Sequence, residues 1–114
     1  MTKFTQDQIN ESVKKALYEA KIAQQKYLQD VLGGTDKYTC GFAWVVVKIH
    51  GGSKLAKQLK VAGFDKHWGG GLDYWGPGSI GVQNIDCNLE GAKVFAKILT
   101  NELGVEFYAQ SRVD

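Results

Sequence analysis

The sequence predicts an α+β domain in which helices pack on a small, mainly antiparallel sheet. Three observations carry this prediction: a long amphipathic stretch in the first third, an apolar run over residues 39–49, and a glycine-rich segment followed by a further amphipathic stretch. Apolar residues at helical spacing indicate a helix, whereas a run of β-branched and aromatic residues indicates a strand. The predicted order of elements is α-β-α-β-β-α-β, in a single domain over residues 1–114.

The first element is a long amphipathic helix, expected over about residues 6 to 32. Thr5 and Gln8 match a capping box, and apolar residues then recur at helical spacing as far as Gly33. A helix of this length spans about 40 Å, more than the diameter of about 35 Å expected for a compact domain of this size. Part of its apolar stripe is therefore expected to extend beyond the domain and to contact a partner chain.

The elements that follow alternate between strands and helices. The run from Thr39 to Ile49 is apolar on both faces through most of its length and is expected to form a central strand. Ser53 is placed to cap a short helix over residues 54–61, which ends before Gly63. The glycine-rich segment over residues 64–86 predicts short strands joined by tight turns.

A third helix and a last strand complete the predicted fold. Asp86 or Asn88 is placed to cap the helix, whose apolar stripe continues to Leu103. The alternation of polar and apolar residues from Val105 to Ala109 predicts the strand.

Composition and charge narrow the classes of function. The chain has 14 basic and 12 acidic residues, and this balance lacks the strongly basic stripe typical of proteins that bind duplex nucleic acid. No signal-peptide pattern or long apolar run is present, so a cytoplasmic protein that does not enter the membrane is expected. Cys40 and Cys87 lie far apart without metal-ligand spacing, so we expect reduced thiols, no metal site and no cofactor.

Residues 76–81 match the dinucleotide-binding pattern G-x-G-x-x-G letter for letter. That motif depends on a tight turn that leads directly from a strand into a helix, whose N-terminus holds the pyrophosphate. Here Pro77 occupies the first variable position, and several extended-looking residues precede the next predicted helix. We therefore interpret the segment as a glycine-rich turn, whose exposed backbone N–H groups can still hold a phosphate.

Large aromatic residues in the glycine-rich segment are the first candidates for ligand binding. Trp68, Tyr74 and Trp75 are suited to stacking on a nucleobase, and Gly71 lets the backbone approach a ligand beside them. The alternative is that these rings pack beneath the loops as a small apolar cluster. Asn84 offers an amide for a ribose hydroxyl or a base edge, as Asp86 offers a carboxylate, although both residue types are also common in turns and helix caps.

An arginine and a histidine are further candidates for binding or catalysis. Arg112 is the only arginine of the chain and can bind a phosphate through two parallel hydrogen bonds, or can pair with Asp114 instead. His67 has Asp65 and Asp73 nearby in sequence, so a hydrolase is the enzyme alternative. We favour the interpretation that His67, like the other histidine, lies at the surface or in a turn.

Four short motifs resemble a group of bacteriophage and prophage proteins. They are a Cys-Gly-Phe-Ala-Trp-Val strand at 40–45, a Gly-Gly-Leu-x-x-Trp loop at 70–75, an acidic helix start followed by Glu-Gly-Ala over 86–92, and Ser-Arg-Val-Asp at 111–114. Within that group the chain is most similar to the first-described Thoeris anti-defence family. Members of this family are sponges that bind and sequester cyclic ADP-ribose isomers made by bacterial TIR-domain immune proteins.

The resemblance implies a function and a site for this chain. It implies a non-catalytic binder of a small cyclic nucleotide, in which Tyr74 stacks on the adenine and Asn84 contacts the ligand. It also implies a homo-oligomer, a dimer or a higher assembly such as a hexamer, because some members form larger oligomers with a second pocket for cyclic oligonucleotides. A hydrolase that degrades such a signal, and a structural or host-protein-binding phage factor, are the alternative functions.

Overall fold

The computed structural model describes residues 4–114, and these residues form the α+β fold that the sequence predicts. The order of elements, α-β-α-β-β-α-β, is the predicted one. The helices and strands are α1 (Gln6–Asp30), β1 (Gly41–Val47), α2 (Lys54–Val61), β2 (Asp65–Lys66), β3 (Leu72–Trp75), α3 (Ile85–Leu103) and β4 (Phe107–Val113).

The four strands form one antiparallel sheet in the order β2-β3-β1-β4. Successive residues of a strand point to opposite faces of a sheet, so β1 divides its side chains between two environments. Ala43, Val45 and Val47 point to what we call the inner face, where they join the hydrophobic core with the helices. Phe42 and Trp44 point to the opposite face, which we call the outer face.

Helix α1 begins at the predicted capping box, since Thr5 accepts from the Gln8 backbone and Gln8 reaches back to the Thr5 N–H. Its buried residues, from Ile9 to Gln24, run along most of the helix, and α1 packs chiefly on α3. The described chain is elongated, measuring 45 × 26 × 18 Å. The expected diameter of about 35 Å was therefore wrong for the long axis, which is 45 Å and accommodates a helix of 25 residues.

Helix α1 and strand β1 end within about two residues of the predicted bounds, and two differences matter for the site. The N-cap of α3 is Asn84, rather than Asp86 or Asn88, and Asp86 lies in the first helical turn. Strand β4 continues to Val113 instead of ending at Ala109, because β1 pairs with it along its whole length. Arg112 consequently lies in a strand of the sheet, directly opposite Phe42.

Candidate functional site

The glycine-rich turn after β3, residues 76–80, packs against the middle of α1. A Cβ atom on Gly78 would lie 2.7 Å from the backbone nitrogen of Lys21, so only glycine permits this approach. The Gly76 N–H donates to the Ala43 carbonyl at 3.0 Å, which fixes the start of the turn on β1. The turn thus meets the side of a helix rather than leading into a helix N-terminus, as a dinucleotide-binding loop would.

Two open grooves flank this turn. The first, which we call the helix groove, has a volume of about 360 Å³ and lies between α1 and the turn. The second, which we call the sheet groove, has a volume of about 330 Å³ and lies beside the outer face. The helix groove is lined by Leu17, Tyr18, Lys21, Tyr74, Trp75, Gly76, Gly78 and Ser79, and the sheet groove by Phe42, Ala43, Trp75, Gly76, Ser79, Val82 and Asn88. Trp75, Gly76 and Ser79 form a wall that the two grooves share.

Trp75 is the most prominent side chain of the shared wall. It is 46% exposed and lies on the outer face, where its ring stacks on Trp44 with centroids 4.5 Å apart and planes 14° apart. The Trp44 ring is held in turn by a hydrogen bond from its Nε1 to Oε1 of Gln110 at 3.0 Å. Because its partner ring is buried and fixed, Trp75 presents an oriented aromatic surface at the solvent boundary.

Tyr74 points the other way, to the inner face. Its ring lies 5.3 Å from that of Phe64 and 5.0 Å from that of Phe95, so it forms part of the edge of the core. Burial raises the pKa of the Tyr74 hydroxyl above its ordinary value. The side chain is half-buried and still lines the helix groove.

Arg112 shares the outer face with Trp75. Its guanidinium lies 5.9 Å from the centre of the Phe42 ring, and the Phe42 ring lies 6.2 Å from that of Trp75. Phe42 thus lies between Trp75 and Arg112 on this face, and Arg112 itself lines neither groove. Tyr74 lies on the opposite face of the sheet from Arg112, so within one chain these two side chains belong to different surfaces.

Asn84 is used inside the protein. It is 3% exposed, its Oδ1 accepts from the Cys87 N–H at 2.8 Å, and its Nδ2 donates to the Lys37 carbonyl at 2.7 Å. The N-cap role that the sequence assigned to Asp86 thus belongs to Asn84, because the helix begins two residues earlier than that assignment required. Asn84 lines neither the helix groove nor the sheet groove.

Gly71 and Trp68 lie in the hairpin between β2 and β3, apart from both grooves. A Cβ on Gly71 would lie 2.1 Å from the Val47 carbonyl oxygen, so this glycine allows the hairpin to approach the end of β1. Trp68 is 89% exposed, and its ring contacts that of His67 with centroids 5.5 Å apart. Neither residue lines the helix groove or the sheet groove.

The same hairpin contains a buried His–Asp pair. His67 lies in the loop between the two strands but is buried rather than at the surface, and its Nδ1 lies 2.7 Å from Oδ2 of Asp73, one of the two carboxylates considered as its partner. The two residues are six positions apart, and the β2–β3 register brings them to the same side of the hairpin. The pair lines neither groove.

The two cysteines are free thiols, of which Cys87 is buried and Cys40 is half-buried. Burial raises the pKa of Cys87 to about 11, and the nearby carboxylates of Asp36 and Glu90 contribute in the same direction.

Among residues 4–114, no three His, Cys, Asp or Glu side chains come together in a way that could hold a metal ion. Over the same residues, none of the helices combines the length and the hydropathy that a bilayer-spanning segment needs.

Comparison of the chain with protein-family models, with curated proteins and with solved structures found no match. The fold and the grooves around Trp75 are therefore the observations from which a function can be argued.

Proposed function

We propose that this protein binds a small cyclic nucleotide signal, a cyclic ADP-ribose isomer in the first instance, and sequesters it without cleaving it. The observation that carries the proposal is the exposed, oriented ring of Trp75 on the wall between two grooves. Aromatic side chains on a rigid support are a common platform for a nucleobase, and each stacking contact contributes about 1–3 kcal/mol.

The chemistry around Trp75 suits the rest of such a ligand. Lys21 lines the helix groove and provides a cation for a pyrophosphate. Arg112 lines neither groove, but its guanidinium lies 5.9 Å from the ring of Phe42, which lines the sheet groove. Ser79 belongs to both linings and offers a hydroxyl. Each groove has a volume near the lower end of the usual range for ligand pockets, about 300–1,000 Å³, so we propose that a cyclic nucleotide lies across the shared wall.

The lining residues favour holding a ligand over converting it. They provide aromatic rings, a lysine, a serine hydroxyl and glycine backbone, which are groups that bind a nucleotide. The one His–Asp pair described above lies outside both linings. Sequestration needs affinity without turnover, and this arrangement of residues supports it.

In this proposal the protein acts in the cytosol of a bacterium infected by a phage, where it lowers the concentration of an immune signal.

We also propose that the protein works as a homo-oligomer. Tyr18 and Ile22 support this part, because they are exposed apolar residues at i and i+4 on α1, beside the helix groove. Light scattering tests it: Ile22→Glu is expected to lower the measured mass, and an unchanged mass would contradict a role of α1 in assembly.

A hydrolase that degrades the signal remains the alternative, favoured by the short contact between His67 and Asp73. A carboxylate on Nδ1 orients an imidazole so that Nε2 can accept a proton, the arrangement a general base needs. His67→Ala distinguishes the two functions: it would stop breakdown of the ligand if the protein were a hydrolase, and sequestration predicts no breakdown by either protein.

Two tryptophan variants test the proposed site. Calorimetric titration with cyclic ADP-ribose is expected to give saturable binding to the wild-type protein, and Trp75→Ala is expected to weaken it by about 1–3 kcal/mol through loss of the stacking contact. Trp68→Ala is the matched control, because Trp68 is exposed but lies outside both grooves. Equal effects of the two substitutions would remove Trp75 from the site.

A further inference from the structure

A glutamine in the middle of α1 is buried in the interior of the protein. Gln24 is 1% exposed, and both ends of its side-chain amide bond to the turn that separates the two grooves. Its Nε2 donates to the Pro77 carbonyl at 3.1 Å, and its Oε1 accepts from the Ile80 N–H at 3.3 Å. One side chain thus satisfies a backbone acceptor and a backbone donor at the two ends of a four-residue segment.

The surroundings of Gln24 are shaped to admit this side chain. A Cβ on Gly91 of α3 would lie 2.2 Å from Nε2 of Gln24, so only glycine leaves room for the amide between the two helices. The Cys87 thiol donates to the Gln24 backbone carbonyl at 3.4 Å, which joins α3 to the same point of α1. Close by, Gly78 brings the turn against the backbone of Lys21.

The burial of a polar side chain at this position needs a reason. An apolar residue of similar length would complete the stripe of α1 without the cost of taking an amide out of water. The cost is offset here because both polar atoms of the amide are hydrogen-bonded, and both bonds go to the turn. The arrangement therefore ties the position of the turn to α1.

We infer that Gln24 is a positioning residue for the ligand site, an inference that rests on the proposed function. Gly76 and Ser79, which belong to the shared wall, stand on either side of Pro77 within or next to the segment that Gln24 holds. Releasing Pro77 and Ile80 frees this wall to move away from α1. The helix groove and the sheet groove then both lose a defined boundary next to Trp75.

The test replaces Gln24 with a residue of similar length that cannot form either hydrogen bond. In Gln24→Met, hydrogen exchange at the Ile80 amide is expected to accelerate about fivefold to tenfold, the change for loss of one hydrogen bond. Affinity for cyclic ADP-ribose, measured by calorimetry, is expected to fall by a similar factor. The two readouts separate the position of the turn from the binding of the ligand.

Two other glutamines serve as matched controls. Gln25→Met alters the neighbouring, exposed residue of α1 and is expected to change neither readout. Gln58→Met removes a second buried glutamine, whose Nε2 donates to the Phe4 carbonyl at 2.7 Å, and so reproduces a general loss of stability away from the turn. It is expected to leave Ile80 exchange and ligand affinity near their wild-type values under native conditions.

Every outcome bears on the inference. Unchanged Ile80 exchange in Gln24→Met overturns it, and so does faster exchange with unchanged affinity. If the wild-type protein does not bind cyclic ADP-ribose at all, the proposed function fails, while Ile80 exchange still decides whether Gln24 fixes the turn. Should Gln24→Met fail to fold, Gly91→Ala displaces the same amide from the α3 side and is expected to give the same faster exchange.

Discussion

Tyr74 and Trp75 are neighbours in one short strand, yet their rings lie on opposite faces of the sheet. Tyr74 points to the inner face and contacts Phe64 and Phe95 of the core, whereas Trp75 points to the outer face and stacks on Trp44 beside solvent. The residue types are similar, and the alternation of the strand decides which ring packs against the core and which ring lies on the outer face, although both line the helix groove. The inner face is therefore expected to govern stability, and the outer face binding.

The largest expected effect lies on the inner face. Phe95 is fully buried between the helices and the sheet, so Phe95→Ala is expected to lower the free energy of unfolding by about 3–5 kcal/mol. Trp75→Ala removes an exposed ring and one stacked contact, and its expected cost is only about 1 kcal/mol. Urea unfolding of both variants measures the difference. Similar losses in the two proteins would show that the outer face is as important to stability as the core.

A smaller effect distinguishes two polar residues at the start of α3. Asn84→Ala removes the N-cap and is expected to cost about 1 kcal/mol of unfolding free energy. Asp86→Ala removes only a favourable charge in the first turn, so its expected cost is at most a few tenths of a kcal/mol. Thermal unfolding at matched pH ranks the two variants. A larger loss for Asp86→Ala would contradict the observed helix start.

The two thiols provide the mildest test of the contrast between inside and outside. Cys40 is half-buried near the start of β1, whereas Cys87 is fully buried and its pKa is raised to about 11. A thiol reagent such as dithionitrobenzoate is therefore expected to label Cys40 faster than Cys87 in the native protein at pH 8. Faster labelling of Cys87 would contradict its burial.

The same burial predicts how stability depends on pH. The pKa of Cys87 is higher in the folded protein than the ordinary value of 9.0, so the folded state favours the protonated thiol. This contribution to the free energy of unfolding is present below pH 9 and is lost as the pH rises towards 11.

Local signals in the sequence were sufficient for most of the fold. The capping box at Thr5 and the Ser53 cap predicted where α1 and α2 begin, because each depends only on residues one turn apart. The end of β4 was missed because Gln110, Ser111 and Arg112 are polar and lie on an edge strand, where pairing with β1 holds them without burial. The N-cap of α3 was missed because several polar residues near it are equally suitable as caps.

The candidate site was predicted only in part, because its geometry depends on contacts between distant segments. The sequence selected Trp75 and Arg112 by residue type, but the β1–β4 register decides that they share a face. Tyr74 was predicted from its residue type, as Trp75 was, but strand alternation places the two rings on opposite faces of the sheet, and of the two grooves only the helix groove includes both. Gln24 carried no signal of its role, because a glutamine within an apolar stripe does not reveal that a turn more than fifty residues later needs its amide.

We propose that the grooves around Trp75 hold a cyclic nucleotide without converting it. The most direct measurement incubates the wild-type protein with cyclic ADP-ribose, removes the free ligand, denatures the protein by heat and identifies the released molecule by mass spectrometry. Trp75→Ala provides the comparison. We predict that the wild-type protein releases the intact ligand and that the variant releases much less. Recovery of a linear product, or of no ligand from the wild-type protein, would rule out sequestration at this site.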